Sequence, residues 1–485
     1  MLPCVLSRPP HAAKPMANWS CCRAMAEAAD YAKLIIGTAA VRPIHVKSIG
    51  VASVFALRFL RAESLSERGL QIHIAASMDI KAILAAHRSD LRLDLFRGVA
   101  NWFIFLDHIP DNVVNWITIR NYGFSGAADL FIFVSGYAAS VVYARMMLER
   151  GFIVGAARLF KRACHLYAAY IVLFVIYIVT VTNVAAQYAA PDLIYEFNVA
   201  SLVDHPIRTL AHGLLLESKA LNLDVLQLYI VLMACFPPVL WIMLRKPDLM
   251  MAGSVALYFT ARAFEWHLPS FPEGRWVFNP FCWQLLFVFG AWLALGGVQK
   301  CRAILRLRML PFFGIAYLVF ALVLRMAGRF PEFGKVVPAW LLDAFIPVDK
   351  TNLAPYRVLH FVLVALLVTR FVSKDWRGLK WSILRPIIKC GEESLAVFCV
   401  GVFLSFAGHL ALITSSGSLL AQVFVSASGV AIMTFFAYYI SWSKRQDQQD
   451  SLSPGRVPAA GTRISETSAF RDPCRFKSSR NGQKL

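Results

Sequence analysis

Charged residues are scarce in this chain: they make up 16% of its 485 residues, whereas hydrophobic residues make up 58%. A soluble protein with so few charges would need several domains to bury its apolar content. Acidic residues are the scarcer kind, with 29 Asp and Glu against 49 Lys and Arg, which gives a net charge of +20. The basic residues fall between apolar segments, where they set membrane topology. We therefore do not expect nucleic-acid binding.

The chain also lacks the cysteine patterns of a metal or redox site. Its ten Cys residues are scattered, without a CxxC pair and without a His/Cys spacing suited to zinc. Several of them, such as Cys164, Cys235 and Cys399, lie in apolar segments. Free cysteine in such surroundings behaves as a small hydrophobic residue. We predict no metal and no bound cofactor.

Long apolar runs are what the sequence has in abundance. They predict an all-α, multi-pass membrane helix bundle with about ten transmembrane helices. The run that contains Pro237 and Pro238 predicts a discontinuous helix, a feature common in transporters. The ten runs lie near residues 95–111, 125–145, 163–185, 225–244, 249–265, 279–298, 309–326, 354–373, 391–412 and 418–442.

The two ends of the chain differ from its middle. Lys and Arg are concentrated in alternate loops between the apolar runs, which places both termini in the cytoplasm. Residues 446–485 are rich in Ser, Gly, Arg and Gln and predict a disordered cytoplasmic tail. Residues 1–77 have no run long enough to span, and Met78 begins a more ordinary opening. We expect an N-terminal extension that is disordered or a start-site artefact, followed by a membrane domain over residues 78–445.

Arg97 and His108 interrupt the first apolar run, LFRGVANWFIFLDHIP. Ionisable side chains at membrane depth are costly, and they mark functional sites by default. Eleven helical steps of about 100° bring both side chains to one helix face, roughly 16 Å apart along the axis. They are candidates for the two ends of one polar channel. The alternative is that Arg97 extends to the cytoplasmic headgroups while His108 marks the far interface.

Asp129 lies near the start of the second apolar run, GFSGAADLFIFVSGYAAS, among small residues. Small residues let helices approach closely and hold a polar group against a neighbouring helix. Asp129 is a candidate for orienting an imidazole or for pairing with an arginine. The residues leave a catalytic and a structural role equally open.

A basic cluster precedes the third apolar run in the stretch RLFKRACHLYAAY. Arg158, Lys161 and Arg162 are candidates for binding an anion at the inner membrane surface. The alternative is that these charges only set the topology.

A neutral imidazole at His108 has the pKa range suited to a general base that removes a proton from a hydroxyl. With a phosphorylated carrier bound at Arg97 and the inner basic residues, this arrangement predicts acyl transfer across the membrane. One helical step turns a side chain by about 100°, so Asp107 is not expected to share the face of His108. We expect a residue from another span to orient the imidazole.

These residues resemble the acyltransferase-3 superfamily of ten-helix membrane O-acyltransferases. The shared features are the arginine and histidine separated by ten residues and the stretch DLFIFVSGY that follows. Residues from about 90 to 442 are similar to the OpgC branch, which places succinyl groups on osmoregulated periplasmic glucans. The stretches that carry this similarity are RLDLFRG, FLDHIP, LNLDVLQLYIVL, FNPFCWQLLFVFGAW, DKTNLAPYRVLHF and SLAVFCVGVFLSF.

The resemblance implies a succinyltransferase of the bacterial inner membrane, with succinyl-CoA as donor and a periplasmic glucan as acceptor. It implies that Arg97 and His108 are the arginine and histidine that the superfamily carries on its first helix, and that His108 is essential for acyl transfer. The third-helix motif of two arginines three residues apart is incomplete here. Arg158 with Lys161 and Arg162 with His165 have the spacing, but neither pair contains two arginines.

A dicarboxylic donor would need a further cation near its acyl end, and Arg357 and Arg262 lie at span edges where they are candidates for that contact. Two alternatives remain. One is an O-acetyltransferase of another surface polysaccharide, because a fold does not fix the acyl group. The other is a transporter of a small anion or a lipid-linked sugar.

Overall fold

A computed structural model shows that the chain folds into α-helices. It describes residues 80, 84, 90–187, 205–218, 223–373, 375–415 and 417–452. The predicted extension over residues 1–77 lies outside the described residues. No strand occurs in the part of the chain that the structure describes, so the predicted all-α fold is confirmed.

The described helices are numbered α1 to α15, and a π-helical turn at Leu293–Gly297 joins α7 to α8. In chain order they are α1 (Leu91–Asp107), α2 (Ala127–Arg150), α3 (Phe152–Gln187), α4 (Pro206–Leu214), α5 (Asp224–Arg245), α6 (Pro247–Ala263), α7 (Pro280–Trp292), α8 (Val298–Arg306), α9 (Leu310–Ala327), α10 (Pro331–Gly334), α11 (Ala339–Phe345), α12 (Pro355–Phe371), α13 (Arg385–Glu392), α14 (Ser394–Thr414) and α15 (Leu419–Leu452).

The predicted membrane spans coincide with helices. Among the described residues, seven helical segments are long and apolar enough to cross a membrane: α2, α3, α5, α7 together with α8, α9, α14 and α15. The other three predicted spans form the 17-residue helices α1, α6 and α12. A polytopic helix bundle is therefore confirmed, while the count of ten spans and the cytoplasmic termini stay predictions.

The predicted break at Pro237 and Pro238 is wrong, because α5 runs unbroken through both prolines. Phe236 and Leu240 on either side are almost fully buried in the bundle, and such packing lets a membrane helix tolerate proline. The break lies instead in the π-helical turn after α7, where Gly296 has a φ of 118°. Glycine tolerates this left-handed conformation because it has no Cβ.

The last helix continues past residue 446, where we expected a disordered tail to begin. Helix α15 extends to Leu452. It continues beyond the apolar run because the residues that follow, KRQDQQD, include Lys, Arg and Gln, which favour helix. The rest of the predicted tail lies outside the described residues.

Helices α2 and α7 form a close packing pair through two glycines. A Cβ added at Gly136 of α2 would overlap the carbonyl oxygen of Phe287 in α7, and a Cβ at Gly290 of α7 would overlap that of Phe133 in α2. Small residues permit this backbone approach in membrane bundles. The pair fixes the position of α2, which carries Asp129.

Replacing Gly136 with Ala is expected to destabilise the protein by roughly 1–3 kcal/mol, because the added methyl group must push two helices apart. The matched control is Gly253→Ala in α6, where a Cβ meets nothing within 4 Å and alanine is the better helix former. Thermal unfolding of the purified full chain in detergent measures both variants. Equal unfolding temperatures for the two would contradict the close approach of α2 and α7.

Helix α1 lies at the centre of the arrangement that forms the site. It packs against α2, α13 and α14. Its N-terminus is capped by the Asp90 carboxylate, which accepts a hydrogen bond from the Arg92 backbone N–H at 3.1 Å. Its C-cap is His108. The two ionisable residues singled out by the sequence, Arg97 and His108, thus lie near opposite ends of one central helix.

Candidate active site

A cavity of about 330 Å³ lies at the C-terminal end of α1, and we call it the His108 cavity. Ile104, Asp107 and His108 of α1 form one side. The remaining wall comes from the segment that leads into α2 and the start of that helix, from Val225 of α5, from Phe278 before α7, from the end of α9, and from the segment before α12 with the first turn of that helix. Several helices that are distant in sequence therefore converge on His108.

The His108 ring is held by its own helix. Its Nδ1 lies 2.6 Å from the backbone carbonyl oxygen of Ile104. A carbonyl oxygen only accepts hydrogen bonds, so Nδ1 carries a proton, and in the neutral ring Nε2 keeps the free lone pair. Our expectation that another span orients the ring is wrong, because the ring binds a carbonyl oxygen in the last turn of its own helix. That oxygen also accepts the His108 backbone N–H at 3.2 Å, and its second lone pair accepts the ring.

Asp129 pairs with Arg357 rather than with His108. Arg357 of α12 donates from Nε to Oδ1 at 2.9 Å and from Nη2 to Oδ2 at 2.6 Å. The carboxylate also accepts a hydrogen bond from the Gly126 backbone N–H at 2.7 Å. The side chains are 0% and 8% exposed for Asp129 and Arg357. The pair joins α2 to α12 and places Arg357 in the cavity wall.

His360 follows Arg357 by one helical turn and forms part of the structure behind the cavity. It is buried, and its Nδ1 lies 2.8 Å from the hydroxyl oxygen of Ser125. Gly123 faces its ring so closely that a Cβ there would overlap the imidazole. His360 therefore fixes the segment before α2 against α12.

The His108 cavity is lined by more cations than we predicted. Besides Arg357, its wall contains Arg120, Arg325 and Lys350. Arg120 donates from Nη1 to the Asp107 carbonyl oxygen at 2.8 Å, and Thr118 donates from its hydroxyl to Asp107 Oδ1 at 2.6 Å. Asp107 is thus engaged by neighbours other than His108, although it lines the same cavity.

Arg325 carries a recognisable sequence signal, whereas Lys350 carries none. Arg325 interrupts the apolar run AYLVFALVLRMAG, which is the same pattern that identified Arg97. Lys350 lies in a loop between α11 and α12, and only the tertiary fold brings it to the cavity.

Arg262 is not among the residues that line the His108 cavity. Its Nη1 donates to the Asn352 carbonyl oxygen at 2.7 Å and lies 3.3 Å from Asp349 Oδ2. The guanidinium therefore holds the loop that carries Lys350. The structure brings Arg357, but not Arg262, to His108.

A second cavity of about 580 Å³ contains Arg97, and we call it the Arg97 cavity. Arg97 lies 2.9 Å from Asp94 through Nη2 and donates from Nη1 to the Gly391 carbonyl oxygen at 3.3 Å. Its Nε is buried without a hydrogen-bond partner in the described part of the chain. Further charged residues of this wall are Asp90, Arg145, Glu149, Arg150 and Arg158.

The predicted basic cluster is divided by the fold of α3. Arg158 lines the Arg97 cavity, whereas Lys161 is exposed and Arg162 is half-buried outside the residues that line it. Arg162 interacts electrostatically with Tyr229 and Tyr143 within the bundle. The structure therefore joins Arg158, alone of the three, to Arg97.

The two cavities are separate. On α2, Ala128 lines the His108 cavity and Ala138 lines the Arg97 cavity, which is a separation of roughly 15 Å along the helix. Phe131 lies between these positions, is 2% exposed and stacks on Phe398 of α14 at 5.1 Å. Arg97 and His108 thus line two different cavities, with the Phe131 ring packed at a level between them.

Comparison with known proteins identifies a family. A family model described as OpgC protein matches residues 89–445. The matched segment begins just before α1 and ends within α15, so it includes both cavities and most of the chain. No curated protein and no solved structure matches the chain.

Proposed function

The chain belongs to the OpgC family, and from this premise we propose that it moves a succinyl group from cytoplasmic succinyl-CoA to hydroxyl groups of osmoregulated periplasmic glucans. Membership makes it a multi-pass membrane protein and a glucan-modifying O-acyltransferase in general terms. The donor, the acceptor and the location in the bacterial inner membrane are part of the proposal.

The observation that carries the proposal is the state of the His108 ring. Its Nδ1 proton is fixed on the Ile104 carbonyl oxygen, and the residue lines a cavity that is rich in cations. An imidazole with its second nitrogen unprotonated is suited to accept a proton from an attacking hydroxyl. The surrounding positive charge would stabilise the negative oxygen that develops on an attacked carbonyl.

The proposed reaction is a direct transfer. His108 Nε2 takes the proton of a glucan hydroxyl as that oxygen bonds to the carbonyl carbon of the thioester. The tetrahedral intermediate then collapses, the carbon–sulfur bond breaks, and the proton on His108 passes to the leaving thiolate. The products are a glucan ester and free coenzyme A, and no metal or redox partner takes part.

The Arg97 cavity supports a site for the phosphates of the donor. Arginine binds phosphate through planar, bidentate hydrogen bonds, and Arg97, Arg145, Arg150 and Arg158 all contribute to this wall. The two cavities lie far enough apart that the thioester must reach His108 through the long pantetheine arm of coenzyme A. Lys161 and Arg162 remain proposed contacts at the entrance.

Replacing Arg158 with Gln is expected to raise the KM for the CoA donor about tenfold, because an exposed charge-assisted hydrogen bond to phosphate is lost. The kcat should change little, since Arg158 is remote from His108. The matched control is Arg308→Gln in the exposed turn before α9. Initial rates measured against donor concentration test the prediction, and an unchanged KM for Arg158→Gln would contradict a phosphate site in the Arg97 cavity.

Mass spectrometry of periplasmic glucans tests the proposed function in cells. Cells that lack the chain should lose the succinyl mass increment, and the intact chain should restore it. Unchanged glucan substitution in these cells would contradict the proposal and favour another acceptor or a transport function.

A further inference from the structure

The His108 cavity carries more positive charge than the hydroxyl and the thioester require in order to bind. Its lining contains Arg120, Arg325, Lys350 and Arg357 and one acidic residue, Asp107. A glucan hydroxyl and a thioester carbonyl are both neutral. Cations that line one cavity repel one another, and that cost is offset when they bind an anion. The cavity is therefore suited to a ligand that brings a negative charge of its own.

Two of these cations form no ion pair with a described carboxylate. In the described part of the chain no carboxylate forms an ion pair with Lys350, whose Nζ lies 4.4 Å from the centre of the Phe278 ring. Arg325 has a buried Nε without a hydrogen-bond partner among the described residues. Its charge is surrounded by other arginines, including Arg120 and Arg357. Both side chains are thus available to an anion inside the cavity.

The third cation, Arg357, is positioned by Asp129, which does not use all of its hydrogen-bond donors. Arg357 uses Nε and Nη2 on Asp129. The side chain also lies against the indole of Trp283, with its Cζ 5.5 Å from the ring centre. These contacts fix the plane of the guanidinium while the remaining Nη1 is left for a ligand in the cavity that Arg357 lines.

The loop that carries Lys350 is held in place by several hydrogen bonds. The donors come from α6, from α7 and from Asn279, the N-cap of α7, and they bind successive carbonyl groups of the loop. The bonds are Trp283 Nε1 to Lys350 O at 3.0 Å, Asn279 N to Thr351 O at 3.0 Å, Arg262 Nη1 to Asn352 O at 2.7 Å and Tyr258 Oη to Leu353 O at 2.7 Å. A loop fixed at four consecutive carbonyls presents a defined position for the Lys350 side chain.

The electrostatic surroundings of Lys350 agree with this view of the cavity. Desolvation by the surrounding protein lowers the pKa of its ammonium group, the charges of Asp224 and Asp129 oppose that effect, and those of Arg357 and Arg120 add to it. A carboxylate bound beside the ammonium would favour its charged form.

We infer that Arg325, Lys350 and Arg357 form a carboxylate clamp, which binds the free carboxylate of a dicarboxylic acyl group while its thioester carbonyl lies at His108. This inference rests on the proposed function and makes these three residues determinants of donor specificity. A monocarboxylic acyl group of similar length lacks the charge that the clamp binds, and it leaves the three cations without a counter-charge.

Donor competition with the purified full chain in lipid nanodiscs tests the clamp. Succinyl-CoA is compared with butyryl-CoA, which has the same number of acyl carbons and a methyl group in place of the carboxylate. Lys350→Met and Arg325→Met should each lower kcat/KM for succinyl-CoA roughly 10- to 100-fold, as expected for a lost hydrogen bond to a charged group. The value for butyryl-CoA should fall much less, because that donor has no carboxylate for the clamp to bind, and Lys350→Arg should retain most of the preference for succinyl-CoA.

The matched control is Lys335→Met, which changes an exposed lysine after α10 that contacts Glu332 outside the cavity. An equal fall for both donors in the Lys350 and Arg325 variants, or no fall for either, would overturn the clamp and leave the acyltransferase proposal intact. A wild-type preference for butyryl-CoA would overturn both the clamp and the dicarboxylic donor. A wild-type chain that transfers neither acyl group would overturn the proposed function and the clamp with it.

Discussion

The His108→Ala variant is expected to lose about 10²- to 10⁴-fold in the rate of acyl transfer, which is the usual contribution of a positioned general base. The loss should appear in kcat, because the proton is taken in the transition state and the donor phosphates are proposed to bind in the other cavity. The ring is partly exposed to its cavity and makes one hydrogen bond, to the Ile104 carbonyl oxygen. Its removal should leave the bundle folded.

The measurement is the initial rate of glucan esterification by the purified variant, together with its thermal unfolding temperature. His205→Ala is the matched control, since His205 is an exposed residue at the start of α4 and does not line the His108 cavity. A His108 variant that is folded and works within a few-fold of the wild-type rate would show that another group removes the proton.

The Asp129→Ala variant is expected to be destabilised by about 3–5 kcal/mol, because it leaves a buried arginine without its counter-charge. Arg357 makes two short hydrogen bonds to this carboxylate, and the Asp129 side chain is 0% exposed. The Gly126 backbone N–H loses its acceptor at the same time. Thermal unfolding and size-exclusion behaviour of the purified full chain measure the effect.

A double-mutant cycle separates the ion pair from simple loss of packing. Asp129→Leu combined with Arg357→Met removes both charges, so it should unfold closer to the wild-type temperature than either single variant does. Effects that simply add, or single variants that unfold like the wild type, would contradict a buried pair that joins α2 to α12.

The sequence predicts the helices well and the breaks between them poorly. Apolar runs of spanning length coincide with helices because a segment in lipid must satisfy its own backbone hydrogen bonds, and a helix does so. Pro237 and Pro238 suggest a break that does not occur, since burial of Phe236 and Leu240 holds α5 together. The real break, at Gly296, depends on a backbone conformation that many glycines never adopt.

The sequence identifies only some residues of the candidate site. Arg97, His108 and Asp129 stand out because each is ionisable within an apolar run. The partner of Asp129 lies 228 residues away in the chain, a separation from which neither composition nor periodicity predicts a contact. The general-base role of His108 stays a prediction.

Other parts of the site are set by tertiary structure alone. Lys350 reaches the cavity only because α6 and α7 bind its loop, and Arg262 acts on that loop. The imidazole of His108 is oriented by the Ile104 carbonyl oxygen in the last turn of its own helix. A sequence pattern records side chains, so it gives no signal for a contact made by the backbone.

The most direct test of cross-membrane acyl transfer is glucan esterification in sealed proteoliposomes of uniformly oriented protein, with succinyl-CoA on one face and glucan oligosaccharides on the other. We expect succinyl esters, detected by mass spectrometry, only when the donor is on the face of the Arg97 cavity and the glucan is on the face of the His108 cavity. Esters formed with the donor on the opposite face would contradict the assignment of the two cavities. Flux of a small anion without any ester would contradict acyl transfer itself.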